Sequence, residues 1–106
     1  LKYMKKKIIK KQIKTNKNME IPKKGKVLLQ FTADWCGPCM VMQHVTEEFQ
    51  SKSAVIFKRV NVDTEYSIAQ KYGVRSIPCF VVVEDDEEKI RKVGSQSLSQ
   101  LLDLVK

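Results

Sequence analysis

A layered α/β fold with a mixed sheet is what this sequence predicts, and three observations carry that expectation. Val27 to Thr32 is nearly continuously apolar, as a strand buried on both faces requires. The next segment switches to helical spacing, with apolar residues at Val41, Met42, Val45 and Phe49. Near the C-terminus two strand-like runs, Cys79 to Val83 and Lys89 to Val93, are separated so briefly that they form an antiparallel hairpin. Alternating strands and helices followed by a hairpin give one sheet with helices against it.

Taken in order, Lys6 to Ile13 is short and strongly basic, with Ile8, Ile9 and Ile13 as its apolar anchors, and is read as an edge strand. Thr15 to Lys26 contains Asn16, Asn18, Pro22 and Gly25, which favour turns. Val27 to Thr32 is the buried strand. Cys36 to Gln50 is read as one helix, with Pro38 in its first turn, where a missing N–H costs least. A strand over Ala54 to Val62 follows, then a helix over Thr64 to Tyr72 closed by Gly73 as a left-handed cap. The acidic run Glu84 to Glu88 is a solvated hairpin turn. Ser95 or Ser97 caps a last helix, whose Leu98, Leu101, Leu102 and Val105 share one face.

The 106 residues, 42% of them hydrophobic, suit a single domain with its own core, spanning 1–106 with 1–19 as a basic edge strand or arm. The formal charge of +8 is uneven. Residues 1–26 hold 11 basic residues and one acid, +10, and the remainder holds 9 basic and 11 acidic, −2. No aromatic residue except Tyr3 accompanies the lysines, so a stacking platform for nucleic acid is missing and no specific nucleic-acid partner is expected. A lysine-guarded edge or a docking arm for an acidic partner explains the segment more simply. No apolar run reaches the roughly 18 residues of a membrane span, and no apolar stretch of a signal peptide follows the opening lysines, so no membrane association is expected. Three cysteines are an odd set, which argues for thiols used as chemistry in a reducing compartment, the cytoplasm.

The chemistry centres on Trp35-Cys36-Gly37-Pro38-Cys39, two thiols three residues apart at a strand-to-helix junction. That spacing alone fits zinc knuckles and iron–sulfur ligands as well as redox pairs. A Cys3His zinc set from Cys36, Cys39, Cys79 and His44 is the chemical alternative, but a helix holding both cysteines lacks the tight knuckle that aims two sulfurs at one metal. For thiol chemistry the placement is favourable. A thiolate attacks a disulfide, and unpaired N–H groups at a helix start stabilise an anion, with only the first cysteine at the exposed tip. Lowering a thiol pKa by about one to two units takes roughly 1.4 to 2.7 kcal/mol, within reach of a helix terminus with hydrogen bonds. Cys39 lies almost one turn later on the same face and can resolve a mixed disulfide formed by Cys36. Gly37 permits close approach and Pro38 stiffens the loop. For Trp35 taken alone, a core aromatic is the minority alternative.

Four blocks in order carry a resemblance: Trp35 to Cys39, then Asn61-Val62-Asp63, then Tyr72 to Pro78, then Lys92-Val93-Gly94. Over residues 27–106 the chain resembles the thioredoxin family. The resemblance implies a central mixed sheet in order 1-3-2-4-5 flanked by helices, a cis peptide before Pro78, and a flat apolar rim of Trp35, Ile77, Pro78 and Gly94 about the nucleophile. A cis bond is a minority state, about 5% of X–Pro bonds in folds. The backbone of Ile77 would pair with an extended substrate, so Trp35, Gly37, Pro38, Ile77, Pro78 and Gly94 form the expected substrate surface. The implied activity is disulfide reduction in protein substrates by Cys36 and Cys39, in a monomer that binds no cofactor or metal. Electrons would come from an NADPH- and FAD-dependent thioredoxin reductase. A binding module of the same fold, with incidental redox activity, is the alternative from another class, favoured by the lysine arm and Gln30. An oxidant or isomerase of the same fold is a further one, although Gly-Pro between the cysteines favours a reductant.

The departures from the family pattern bear on mechanism. The family's buried carboxylate falls at Gln30, its nearby lysine at Arg59, a tryptophan at Thr32, a threonine at Cys79, and a helix-kinking proline at His44, which suggests a straighter helix. An amide cannot take a proton at neutral pH, so slower resolution of mixed disulfides is expected, with Asp34 close in sequence but exposed. Cys79 is either a small buried strand residue or a third redox-active thiol. Gln30, Arg59 and Cys79 are therefore the candidate modulators.

Overall fold

A computed structural model describes residues 19–106. The expected edge strand at Lys6 to Ile13, and with it the end of the sheet it would form, lies outside the described residues. Within them, β1 (Lys26–Thr32), α1 (Gly37–Val41), α2 (Gln43–Lys52), β2 (Ile56–Asn61), α3 (Tyr66–Lys71), β3 (Cys79–Glu84), β4 (Glu87–Val93) and α4 (Leu98–Leu104) follow one another. Four strands pair in the order β2-β1-β3-β4. The β1–β2 pair is parallel and joined by a helical crossover, while β1–β3 and β3–β4 are antiparallel. This is the thioredoxin-type mixed sheet flanked by helices.

The central strand explains the layers. Successive side chains of a strand point to opposite faces, so Val27, Leu29 and Phe31 enter one core with Val60, Ala69 and Val81. Leu28 enters the other with Met42, Phe49, Phe80 and Leu101. All of β1 after Lys26 is buried, which is why the run needs apolar residues on both faces. Removing one of these large side chains, as in Leu29→Ala, costs about 2–5 kcal/mol by analogy with other cores.

Local signals place the ends. Gly73 has φ +61°, its N–H donates to the Gln70 carbonyl and the Val74 N–H to the Ala69 carbonyl, the paired bonds of a Schellman ending. Ser97 caps α4 through a reciprocal capping box with Gln100. Asp85 and Asp86 take φ +51° and +71°, which builds the tight hairpin turn, and Asp85 Oδ1 accepts a 2.8 Å bond from the Gly25 N–H. The third helix starts two residues later than its sequence suggests. The Asn61 side chain accepts from the N–H groups of Asp63 and Thr64, holding a turn where the helix was expected to begin.

The helix expected over Cys36 to Gln50 is the main correction. It is interrupted at Met42 and divides into α1 and α2, although no proline stands at His44. Fully buried Thr46 donates its hydroxyl to the Gln43 carbonyl at 2.9 Å, a side-chain bond to the backbone of the kind that bends helices. The straighter helix is not observed. Val41 also differs from expectation, being 70% exposed rather than on the buried face. Three adjacent apolar residues, Met40 to Met42, leave the phase of the helical stripe ambiguous, and the interruption decides it.

Candidate dithiol site

Cys36 follows the loop that leaves β1, and it is the N-cap residue of α1 with an extended backbone. Its Sγ accepts a 3.2 Å bond from the Cys39 N–H, and no acidic residue occupies the first turn. A backbone donor aimed at sulfur favours the anion when the pair is reduced. Cys36 and Cys39 are joined as a disulfide, with Cα atoms 5.3 Å apart. The exposed first cysteine expected from the sequence is not found: both are 4% accessible. Val62 and Ile77 pack against the cluster that the pair forms with Ala33. What distinguishes Cys36 is its cap position and the N–H it receives.

Around the pair, Trp35 is 70% exposed, with its indole N–H donating to Asp63 Oδ2 at 2.9 Å. It is a surface aromatic, not a core one. Gly37 and Pro38 are exposed, Ile77 is half-buried and Pro78 buried. The Ile77–Pro78 bond is cis, as the resemblance implied, and the Pro78 carbonyl accepts from the Gly94 N–H at 2.8 Å. Gly94 has φ +99°, a conformation that disfavours side chains. Sequence reasoning missed three apolar neighbours on the surface, Met40, Val41 and Val93, which are 55%, 70% and 59% exposed. It also missed Asp63 as the partner of Trp35, because a bond across 28 residues leaves no local pattern.

Beneath the pair, Gln30 is buried and pairs in register with Arg59 on β2. Arg59 Nε donates to Gln30 Oε1 at 3.2 Å, and Nη2 donates to Thr46 Oγ1 at 2.7 Å. The amide at residue 30 thus offers a neutral acceptor to the guanidinium. Asp34 is exposed, and its Oδ1 accepts from Asn61 Nδ2 at 3.3 Å. Thr32 is also buried, on the wall of the same region.

Cys79 is free and 1% accessible, paired between Phe31 of β1 and Val93 of β4. Burial pushes its thiol pKa up, and Glu88 adds to that while Arg91 opposes it. The four residues considered for zinc do not converge: among the described residues no three His, Cys, Asp or Glu side chains form a group able to hold a metal ion. His44 is exposed. No described helix is long and apolar enough to cross a membrane.

Comparison with known proteins agrees with this geometry. The thioredoxin family model matches residues 8–106. The chain is 38% identical over 82 residues to the thioredoxin of Chlamydia caviae, covering 76% of this chain and 80% of that one. It is 37% identical over 82 residues to that of Mycoplasma pneumoniae, with the same coverage of 76% and 80%. Among solved structures, a mutant thioredoxin from Halobacterium salinarum superposes with a TM-score of 0.73 at 35% identity, over 77% of this chain and 73% of that one. Fasciola hepatica thioredoxin gives 0.73 at 32%, over 78% and 81%.

Proposed function

The chain belongs to the thioredoxin family and is a thiol-disulfide oxidoreductase, and we propose that Cys36 is its attacking thiol and Cys39 its resolving one. The observation that supports these roles is the N-cap placement of Cys36, whose sulfur receives the Cys39 N–H while the two sulfurs lie within bonding reach. In the reduced protein the Cys36 thiolate attacks one sulfur of a substrate disulfide, and the other substrate sulfur leaves as a thiolate. Cys39, once deprotonated, attacks Cys36 Sγ, closes the Cys36–Cys39 bond and releases the second substrate thiolate. The substrate disulfide gains the two electrons and two protons that the dithiol loses.

Trp35, Gly37, Pro38, Ile77, Pro78 and Gly94 form the substrate-docking surface in this reading. Their support is proximity and chemistry: an exposed aromatic, an exposed Gly-Pro pair and a backbone turn beside the sulfurs. An extended peptide laid against the Ile77 backbone would be recognised by main-chain bonds and apolar contact, which favours breadth over sequence specificity. Gln30 and Arg59 adjust the rate from beneath. Cys79 contributes as a small apolar packing group rather than as an exchanging thiol, in keeping with its burial and raised pKa.

The electron source in this reading is an NADPH- and FAD-dependent thioredoxin reductase, the partners are disulfide-bearing proteins, and the working form is a monomer in the cytoplasm. The odd cysteine count supports a reducing compartment. Residues 1–106 act as one domain, with 1–19 as its basic arm. An insulin-type reduction assay tests the reading, first with dithiothreitol and then with a reductase. Cys36→Ser should lower turnover by at least about a thousandfold, towards the uncatalysed rate. A Cys36→Ser variant that keeps full biological function would favour the binding-module alternative.

A further inference from the structure

We infer that Arg91 is a positioning residue of the docking surface, anchoring one end of the arc that carries Ile77 and Pro78 past the dithiol. This rests on the reading of Cys36 and Cys39 as the exchanging pair with Ile77 as a docking residue beside them, and adds what holds that surface in place. The arc, residues 72–78, joins α3 to β3. Its Ile77 packs against the cluster of Ala33, Cys36 and Cys39.

The arc is tied at its ends and open between them. At the α3 end the Gly73 and Val74 N–H groups bond back to the Gln70 and Ala69 carbonyls, and at the β3 end the Pro78 carbonyl accepts from the Gly94 N–H at 2.8 Å. Residues 75–77 make no hydrogen bond to any described residue. Their backbone groups are left for an extended peptide to pair with, but a span without bonds of its own takes its shape from its anchors.

Arg91 supplies an anchor that α3 cannot. A helix leaves its last carbonyls without partners inside the helix, and Tyr72 is the C-cap of α3. From β4, Arg91 Nη2 donates to the Tyr72 carbonyl. Glu88 sets the direction of that donor: Arg91 Nε donates to Glu88 Oε2 at 2.9 Å and Nη2 to Glu88 Oε1 at 2.8 Å, a two-bond pairing with a defined orientation. Only 29% of the Arg91 side chain and 35% of the Glu88 side chain are exposed. The other tie between the end of α3 and the hairpin, Lys71 to Asp86 at 4.0 Å, joins two exposed side chains and contributes little.

One strand thus holds both ends of the arc. Arg91 lies within β4 and Gly94 directly follows it, so the Tyr72 and Pro78 carbonyls are gripped by groups whose separation the extended backbone fixes at about 3.3 Å per residue. Tyr72 is also pinned from the sheet side, its ring centre 5.9 Å from that of Phe31 in β1. Without the guanidinium the Tyr72 carbonyl turns to water and the α3 end of the arc loosens. The bond at Pro78 and the N–H that Cys36 receives stay in place. Docking of an extended substrate weakens, while the chemistry of the sulfurs does not.

The test sets two disulfides against the pre-reduced full chain: insulin, which has to dock, and the small aryl disulfide dithiobis(nitrobenzoate), which reaches the sulfur without the arc. The readout is the ratio of their second-order rate constants. Arg91→Gln should lower the insulin constant by about threefold to tenfold, the usual range of coupling through a positioned element, and leave the constant for the small disulfide within about twofold. Glu88→Gln loosens the guanidinium without removing it, so it should lower the ratio by about threefold. It keeps the test open if Arg91→Gln fails to fold. A ratio within about twofold of the parent in both variants would overturn the inference, and so would a parallel fall of both constants, the mark of a merely structural role. Cys36→Ser, run alongside, should lose reaction with both disulfides. If it does not, the assignment of the pair fails, an outcome distinct from an unchanged ratio in the Arg91 and Glu88 variants.

Discussion

Cys36 and Cys39 on one side, and Cys79 on the other, are almost equally hidden from solvent, at 4%, 4% and 1% accessibility, yet the fold places them in opposite chemical settings. The pair sits where a strand ends and a helix begins, and the Cys36 sulfur receives a backbone N–H. Cys79 sits inside β3, its neighbours across the sheet being Phe31 and Val93. Burial there meets no compensating donor among the bonds of the described residues, and it raises the thiol pKa. The contrast teaches that accessibility alone does not sort reactive from inert cysteines. What sorts them is whether the backbone offers the anion something to bind.

The largest effect that sharpens this contrast comes from removing one member of each setting. Cys39→Ser should retain the first attack but lose resolution, so that mixed disulfides with substrate accumulate to near stoichiometry, while Cys79→Ser should reduce insulin within about twofold of the parent rate. Mass spectrometry of the non-reduced protein reads the first, and an insulin reduction assay reads the second. A persistent Cys36–Cys79 or Cys79–glutathione adduct after mild oxidation would break the contrast.

A smaller effect concerns the proton of Cys39. Gln30→Asp should accelerate single-turnover release of substrate from the mixed disulfide, by up to about 100-fold if the carboxylate acts as a positioned base. An unchanged release rate would mean that water or the departing thiolate already suffices.

The smallest effect is pH dependence at Cys79. Its folded-state pKa is raised, so at a given pH less thiolate is present than in the unfolded chain. Stability associated with the neutral thiol is complete below the unfolded thiol pKa and declines as pH rises through the folded one. Alkylation of Cys79 by iodoacetamide in the Cys36→Ser/Cys39→Ser protein should therefore be slower than that of a free thiol near pH 8 and rise at more alkaline pH. Reaction at the free-thiol rate at pH 8 would contradict its desolvated setting.

Much of this site was legible along the chain because its chemistry is local. The three-residue interval from Cys36 to Cys39 spans one helical turn, Ser97 and Gln100 form their capping box over the same interval, and Gly73 ends its helix within two residues. The hairpin turn over Glu84 to Glu88 is equally local. Less legible were features whose phase or partner depends on packing: the break at Met42, the outward turn of Val41, and the coverage of Cys36.

By itself, then, the sequence determined the layered fold, since spacing within a turn and alternation along a strand are set by backbone geometry that every residue shares, while the class of reaction came from the four blocks that resemble the thioredoxin family. Only the tertiary structure decided how the residues beneath the sulfurs bond to one another and that Thr46 joins them. Gln30, Thr46 and Arg59 are separated by 13 to 29 residues and meet because the parallel register of β1 and β2 sets Gln30 opposite Arg59 under α2. A hydrogen bond between distant residues depends on strand register and helix placement, which no short stretch of sequence contains.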